Sequence, residues 1–402
     1  MAGLTPPPHG RHSLASSGKP APGKDRLRRH LHLVAQEDTA HAPPPLARER
    51  SSHWDSVKGI GILLVVYGHV VRGLLSAALP MDRAFHETVD TVIYSFHMPL
   101  FFFVAGLFFP PSLSHHGRTG LLLTKVRTIL YPYLVWSLLQ GLIEVALSGL
   151  TNGHTSIGEV LALAWHPRAQ FWYLHTLFML FLVATLVYRD TTLGWRLGIA
   201  GMALVLHWVP LPGLDFHVVN AFKQWFVFLT LGVLCAPLRP LAAALGRLAV
   251  GPCLFLFVAV EWALLQTPGD LAPLAAQALP LLAAAAGIAL VVAFAHGFGD
   301  RLPFLSAMGR HSLDIYLAHI LVASGIRIVL TRLLGITAVE VHLIVGTLAG
   351  IAGPILLYRV TERYGFRWLF MLPTHPEPHF QRDALGADSA PETQALCPRT
   401  LR

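Results

Sequence analysis

Hydrophobic positions in this chain gather into long blocks separated by short polar stretches. The blocks fall at roughly 57–79, 91–110, 126–148, 171–188, 194–210, 222–238, 247–266, 273–296, 313–333 and 339–361. Most approach the roughly 20 residues that an α-helix needs to cross a hydrocarbon core about 30 Å thick. Two are weaker, because 194–210 is short and 247–266 contains Glu261. The pattern predicts an all-α fold, a polytopic membrane helical bundle of about ten transmembrane helices. No internal repeat of the kind common in secondary transporters is visible.

Composition agrees with this reading. The chain is 54% hydrophobic and only 13% charged, with a mean hydropathy of +0.55. A soluble domain usually carries about a quarter charged residues. The net charge of +8 does not point to nucleic acid, since much of the excess sits in the tails and in alternate loops. Cys235, Cys253 and Cys397 are too few and too scattered for a disulfide framework or a zinc site.

Residues 1–52 are rich in Pro, Arg and His and read as a disordered tail, as do 371–402; the membrane domain is expected over 53–370. The six histidines of 1–53 are irregularly spaced, which favours a solvated tail over a metal site. The tail lacks the apolar core of a cleavable signal, so the first spanning helix is expected to act as the targeting signal. Basic residues favour one set of loops, with Arg118, Lys125, Arg189, Arg239, Arg301 and Arg363 on the side of the N-terminal tail. The opposite loop 80–90 holds Asp82, Glu87 and Asp90 against Arg83. That asymmetry places both termini in the cytoplasm. Arg327 and Arg332 run against it, either snorkelling outward or lining an outward-facing site.

Polar groups at membrane depth are costly and usually functional. Lys58 and His69 lie eleven positions apart in DSVKGIGILLVVYGH. That spacing is three helical turns with about 20° left over, so both side chains share one face about 16 Å apart. His97 follows in SFHMPLFFFVAGLFF and His319 in GRHSLDIYLAHI. Three histidines on three helices at a similar depth are harder to explain as separate core residues than any one alone. Further candidates are Lys125 and Arg127 in KVRTILYPYLVWS, then Trp172, Tyr173 and His175 in FWYLHTLF, then Arg310 and Tyr316. The bland alternatives are snorkelling or anchoring cations for Lys58, Arg127 and Arg310, and an interfacial aromatic belt for Trp172 and Tyr173.

Taken in order, these stretches resemble the acyltransferase-3 family of integral membrane acyltransferases, and most closely its fucose 4-O-acetylase-like branch. The resemblance covers about 55–320 and continues more weakly to about 370. Family members carry Arg or Lys, ten intervening residues, then His in the first helix, matched here by Lys58 and His69. The resemblance implies transfer of an acyl group, usually acetyl, from cytoplasmic acyl-CoA to a hydroxyl of a saccharide or other envelope molecule. Acetyl-CoA would be a substrate, with no permanently bound cofactor and no metal. The acceptor would be a saccharide or lipid-linked glycan, and the setting a bacterial cytoplasmic (inner) membrane.

On that reading Lys58, Lys125, Arg127 and Arg310 are candidates to hold the CoA phosphates through charge-assisted contacts. His69 is the candidate general base, or alternatively a nucleophile that forms an acyl-imidazole. His97, His319 or Tyr316 would donate to the oxyanion. Trp172, Tyr173 and His175 are expected at the outer interface, on the path of an incoming sugar. The competing reading is a transporter or flippase of an envelope glycan precursor, with the histidines as a proton relay.

Overall fold

The computed structural model describes residues 45–147, 156–189, 192–213, 216–266 and 273–373, and all its regular elements are helical. The tails expected to be disordered therefore lie largely outside the described residues. The main helices are α1 (Pro45–Ser76), α2 (Arg83–Leu107), α3 (Phe109–Lys125), α4 (Tyr131–Ala146), α5 (Ile157–Leu161), α6 (Trp172–Val187) and α7 (Leu193–Trp208). They continue as α8 (His217–Cys235), α9 (Arg239–Leu265), α10 (Pro273–Phe298), α11 (Pro303–Arg310), α12 (Ser312–Ile328) and α13 (Val339–Arg363).

Each of the ten apolar blocks falls on a helix. Among the described residues, eight helical runs are long and apolar enough to cross a membrane. The numbers differ for two reasons. Helix α7 has only 16 residues, and α8 and α9 join into one run, His217–Leu265, through a 3-10 turn at Ala236–Leu238. The stretch 111–125, expected as a loop, is helical in α3, and the chain breaks direction there at Gly117 (φ 65°). Only glycine adopts that left-handed conformation without steric cost.

Local chemistry accounts for several boundaries. Asp82 starts α2 by accepting the Phe85 N–H at 2.9 Å. Ser156 and Glu159 form a reciprocal capping box at the start of α5. Pro132 lacks an N–H and stands just after a π-helical turn at Val126–Leu130, where the ordinary helical register is interrupted.

Helix α1 packs closely into the bundle. Val57, Ile62 and Val66 are fully buried on it. Gly59 of α1 lies against the Leu305 carbonyl of α11, and Gly309 of α11 lies against the Asp55 carbonyl. A methyl group at either position would overlap backbone, so the crossing requires glycine on both sides. Gly106 of α2 and Gly232 of α8 form a second reciprocal crossing, each against the carbonyl oxygen of its partner helix. Trp136 Nε1 of α4 donates to the Leu369 carbonyl at 2.8 Å, which ties the segment after α13 back onto the bundle.

The outward faces are apolar. Leu248, Phe255 and Trp262 of α9 and Ile344, Leu348 and Leu356 of α13 are exposed. Contiguous exposed apolar surface of this extent would be a liability in water and suits a lipid surround.

Candidate active site

The three histidines singled out in the sequence come together. The rings of His69 on α1 and His319 on α12 have centroids 5.0 Å apart. His97 on α2 joins through Tyr94, whose ring is 4.5 Å from His97 and 6.3 Å from His69. Each histidine is turned the same way, with Nδ1 facing a main-chain carbonyl of its own helix. His69 Nδ1 is 2.8 Å from Val65 O, His97 Nδ1 is 2.6 Å from Ile93 O, and His319 Nδ1 is 2.8 Å from Tyr316 O. A carbonyl only accepts, so Nδ1 carries the proton and Nε2 holds the free lone pair. The Nε2 atoms of His97 and His319 are buried without a hydrogen-bond partner. The bland reading, a histidine bonded to neighbouring backbone, therefore describes one nitrogen of each ring and leaves the other available. Among the described residues no group of His, Cys, Asp or Glu is placed to hold a metal ion.

Two spaces flank this cluster. The larger, about 260 Å³, begins at Lys58 and passes Thr128 to Tyr173 and Tyr316. Its far wall includes Val65, one turn before His69, and Tyr316, one turn before His319. It therefore ends just below the histidine pair. On the other side His69 lines a small space of about 30 Å³ together with Ser324, Arg327 and His342. His69 thus stands between a cavity open toward Lys58 and a neck leading to the opposite end of the bundle.

The four candidate cations are placed differently from one another. Lys58 lines the larger cavity and is held by Asp55 Oδ1 at 2.7 Å. Arg127 and Arg310 are exposed, and neighbouring residues, Thr128 and Ser312, contribute to the cavity wall. Arg310 donates to Ser306 Oγ at 3.1 Å. Lys125 points elsewhere, with its ammonium 4.2 Å from the centre of the Phe181 ring.

The aromatic trio expected at the outer interface packs against neighbouring helices, with Tyr173 and His175 buried and Trp172 partly buried. Tyr173 is 8% exposed and meets Tyr316 edge-on at 5.4 Å, and His175 is 9% exposed beside Tyr133 at 5.6 Å. Trp172 packs on Trp225 at 5.2 Å. The segment before α6 is anchored to other helices. In its 3-10 turn Ala169–Phe171, Gln170 and Phe171 are buried, with Gln170 bonded to Gln140 at 2.9 Å and Gln170 O accepting from the Tyr316 hydroxyl.

Sequence reasoning missed a polar layer around the cluster. Arg72 chelates Asp90 through Nε at 2.5 Å and Nη2 at 2.9 Å, and its guanidinium lies 3.2 Å above the Tyr94 ring. Glu144 pairs with Arg168 at 2.5 Å and with Gln140 at 3.0 Å. Arg72 and Asp90 belong to different helices, 18 residues apart, so no local pattern links them. The oddly placed Arg327 was the one visible signal.

A helical bundle with several long apolar helices and apolar outward faces points to an integral membrane protein. Residues 52–359 match the acyltransferase domain, and the chain belongs to this acyltransferase-3 family of membrane acyltransferases. It is also similar to the nodulation protein NolL of Sinorhizobium fredii (strain NBRC 101917 / NGR234), with 27% identity over 195 residues, 47% of this chain and 50% of that protein. The chain thus matches about half the length of that curated relative. No solved structure matches it significantly.

Proposed function

We propose that this protein transfers an acyl group, acetyl in the simplest case, from cytoplasmic acyl-CoA to a hydroxyl of a saccharide or other cell-envelope acceptor. The observation that carries this reading is the position of His69. Its Nδ1 proton is given to Val65 O, and its ring lies between the cavity that begins at Lys58 and the neck on the far side.

On this reading Lys58 takes a CoA phosphate at the cytoplasmic mouth, with Asp55 fixing its position and Arg127 and Arg310 adding positive potential. The pantetheine arm lies in the cavity against Val65, Phe101 and Tyr173. His69 Nε2 removes the acceptor's hydroxyl proton as the oxygen attacks the thioester carbon. The resulting tetrahedral oxyanion needs a neighbouring donor; His319 Nε2 carries no proton in this tautomer, so the candidate is the Tyr316 hydroxyl, released from Gln170 O. Collapse breaks the C–S bond, and the imidazolium returns its proton to the departing CoA thiolate. The site lets a donor and an acceptor from opposite membrane faces meet without CoA crossing.

The test uses membranes containing the protein, acetyl-CoA labelled in the acetyl group, and a His69→Ala variant at equal abundance. Label reaching an envelope acceptor only with the wild-type protein is the expected result. Label held on protein histidine would replace direct transfer by a two-step route. No transfer above empty membranes, with a broad mix of envelope acceptors supplied, would refute the assignment.

A further inference from the structure

A second cavity opens between α4 and α12 at the end of the bundle remote from Lys58. It measures about 270 Å³, near the lower limit of about 300 Å³ for small-molecule sites. Gln140, Glu144, Ser324 and Arg327 supply its polar lining, and Ile143 and Ile320 are among its apolar walls. Ser324 and Arg327 also line the neck at His69, so the two spaces share a wall. Arg327 therefore stands where a molecule entering between α4 and α12 would turn toward His69.

We infer that this cavity is the acceptor site and that it takes a polyhydroxylated saccharide unit, with Arg327 aiming one hydroxyl at His69. The inference rests on the acyl-transfer reading above and adds the cavity that receives the acceptor and the residues that orient it.

Three features carry it. First, the lining offers both hydrogen-bonding signs in a small volume: a carboxylate that only accepts, a guanidinium that only donates, and an amide and a hydroxyl that do both. A sugar, whose hydroxyls donate and accept, satisfies all four. Glu144 and Arg327 give this lining one charge of each sign, unlike the cavity at Lys58, where Lys58 is the charged lining residue.

Second, the polar groups are held in place. Glu144 is fixed by Arg168 at 2.5 Å and by Gln140 at 3.0 Å, Gln140 by Gln170 at 2.9 Å, and the Gln170 carbonyl by the Tyr316 hydroxyl. Gln140 and Gln170 are 2% and 3% exposed. A network of this kind, buried at Gln140 and Gln170, preorganises a site and costs little reorganisation on binding. Its last member, Tyr316, also walls the Lys58 cavity, so the acceptor and donor spaces are braced by one network.

Third, the apolar walls beside the polar patch suit the C–H faces of a sugar ring, and they also suit the first carbons of a lipid carrier. A free glycan and a lipid-linked one share the headgroup chemistry, and the experiment separates them.

The experiment follows labelled acetyl transfer into an envelope glycan extract from the cells that make the protein, split into lipid-extracted and water-soluble fractions. Wild type, Arg327→Ala and Arg327→Lys are compared at equal folded amounts. Arg327→Ala is expected to raise the half-saturating extract concentration at least tenfold while the half-saturating acetyl-CoA concentration stays within twofold. Arg327→Lys, which keeps charge but loses the planar fork, is expected to fall between. If Arg327→Ala does not accumulate, the Lys variant and Ser324→Leu, which fills the neck, give the same readout. The labelled fraction identifies the source of the glycan.

An unchanged extract dependence in these variants, an equal shift in acetyl-CoA dependence, or label appearing on a lipid without sugar would each overturn the acceptor site. Each of those results leaves acyl transfer by the wild type in place. Absence of transfer by the wild type is a different failure: it removes the proposed activity, and the acceptor site with it.

Discussion

Arg72 offers a sharp test of whether the polar layer acts on the histidine cluster. It makes a forked pair with Asp90 and lies 3.2 Å above the Tyr94 ring, and Tyr94 in turn meets His97 edge-on. The Arg72 and Asp90 side chains are 46% and 29% exposed, so the ion pair is discounted to about 0–1 kcal/mol. The cation–π contact, partly desolvated, adds about 1 kcal/mol. Arg72→Ala should then cost about 1–2 kcal/mol in stability, with about 0.5–1 kcal/mol of that coupled to Tyr94. If the coupling is expressed at the cluster, acyl transfer should fall roughly two- to fivefold, since 1.4 kcal/mol is a factor of about ten. The assay is a double-mutant cycle of Arg72→Ala and Tyr94→Leu, read by thermal unfolding in detergent and by labelled acetyl transfer. Asp90→Asn serves as the control that weakens the fork and keeps the cation. A coupling energy near zero would refute the argument. So would a loss of transfer as complete as that of His69→Ala, because it would place Arg72 in the chemistry itself.

Lys58→Ala should raise the half-saturating acyl-CoA concentration more than it slows turnover, and a rate loss at unchanged donor affinity would defeat its assignment to the phosphates. Gly232→Val should sharply reduce folded protein, because the side chain would enter the Phe103 carbonyl across the α2–α8 crossing, whereas the same change at the open Gly201 should be mild; fluorescence-detected size exclusion compares the two. Trp136→Phe keeps the ring contact with Phe370 but removes the donor to Leu369 O, and should cost about 1–3 kcal/mol by leaving that carbonyl less satisfied, as read by thermal unfolding. Tyr316→Phe should lower transfer by more than it lowers stability if its hydroxyl serves the oxyanion; equal losses would make it a brace for Gln170 only.

Much of this was legible along the chain. The apolar blocks placed most of the long helices, α3 excepted, since a membrane helix writes its length directly into hydropathy. Lys58 and His69 were linked by helical spacing alone, and that face is the one that lines the cavity and the neck. His97 and His319 were suggested by depth, and they do meet His69 or its neighbour Tyr94. The packing partners of the aromatic trio were not legible, because they depend on the turn before α6. Nothing in FWYLHTLF encodes that turn's contacts with Gln140 and Tyr316. The four cations looked equivalent on the sequence, yet Lys125 turns to Phe181 while Lys58 faces the cavity. That choice follows from the packing of α3 on α6, which sets Phe181 beside Lys125.

The sequence by itself determined the fold class, the helix positions, the family and the first-helix pair, because each is written in local periodicity or in short ordered motifs. The tertiary structure alone decided that Tyr94 bridges two histidines and that Glu144, Gln140 and Gln170 form one network. It also decided that Arg327 closes a neck onto His69. Those relations join side chains on separate helices, and only helix packing, set by reciprocal glycine contacts and buried polar pairing, brings them within reach.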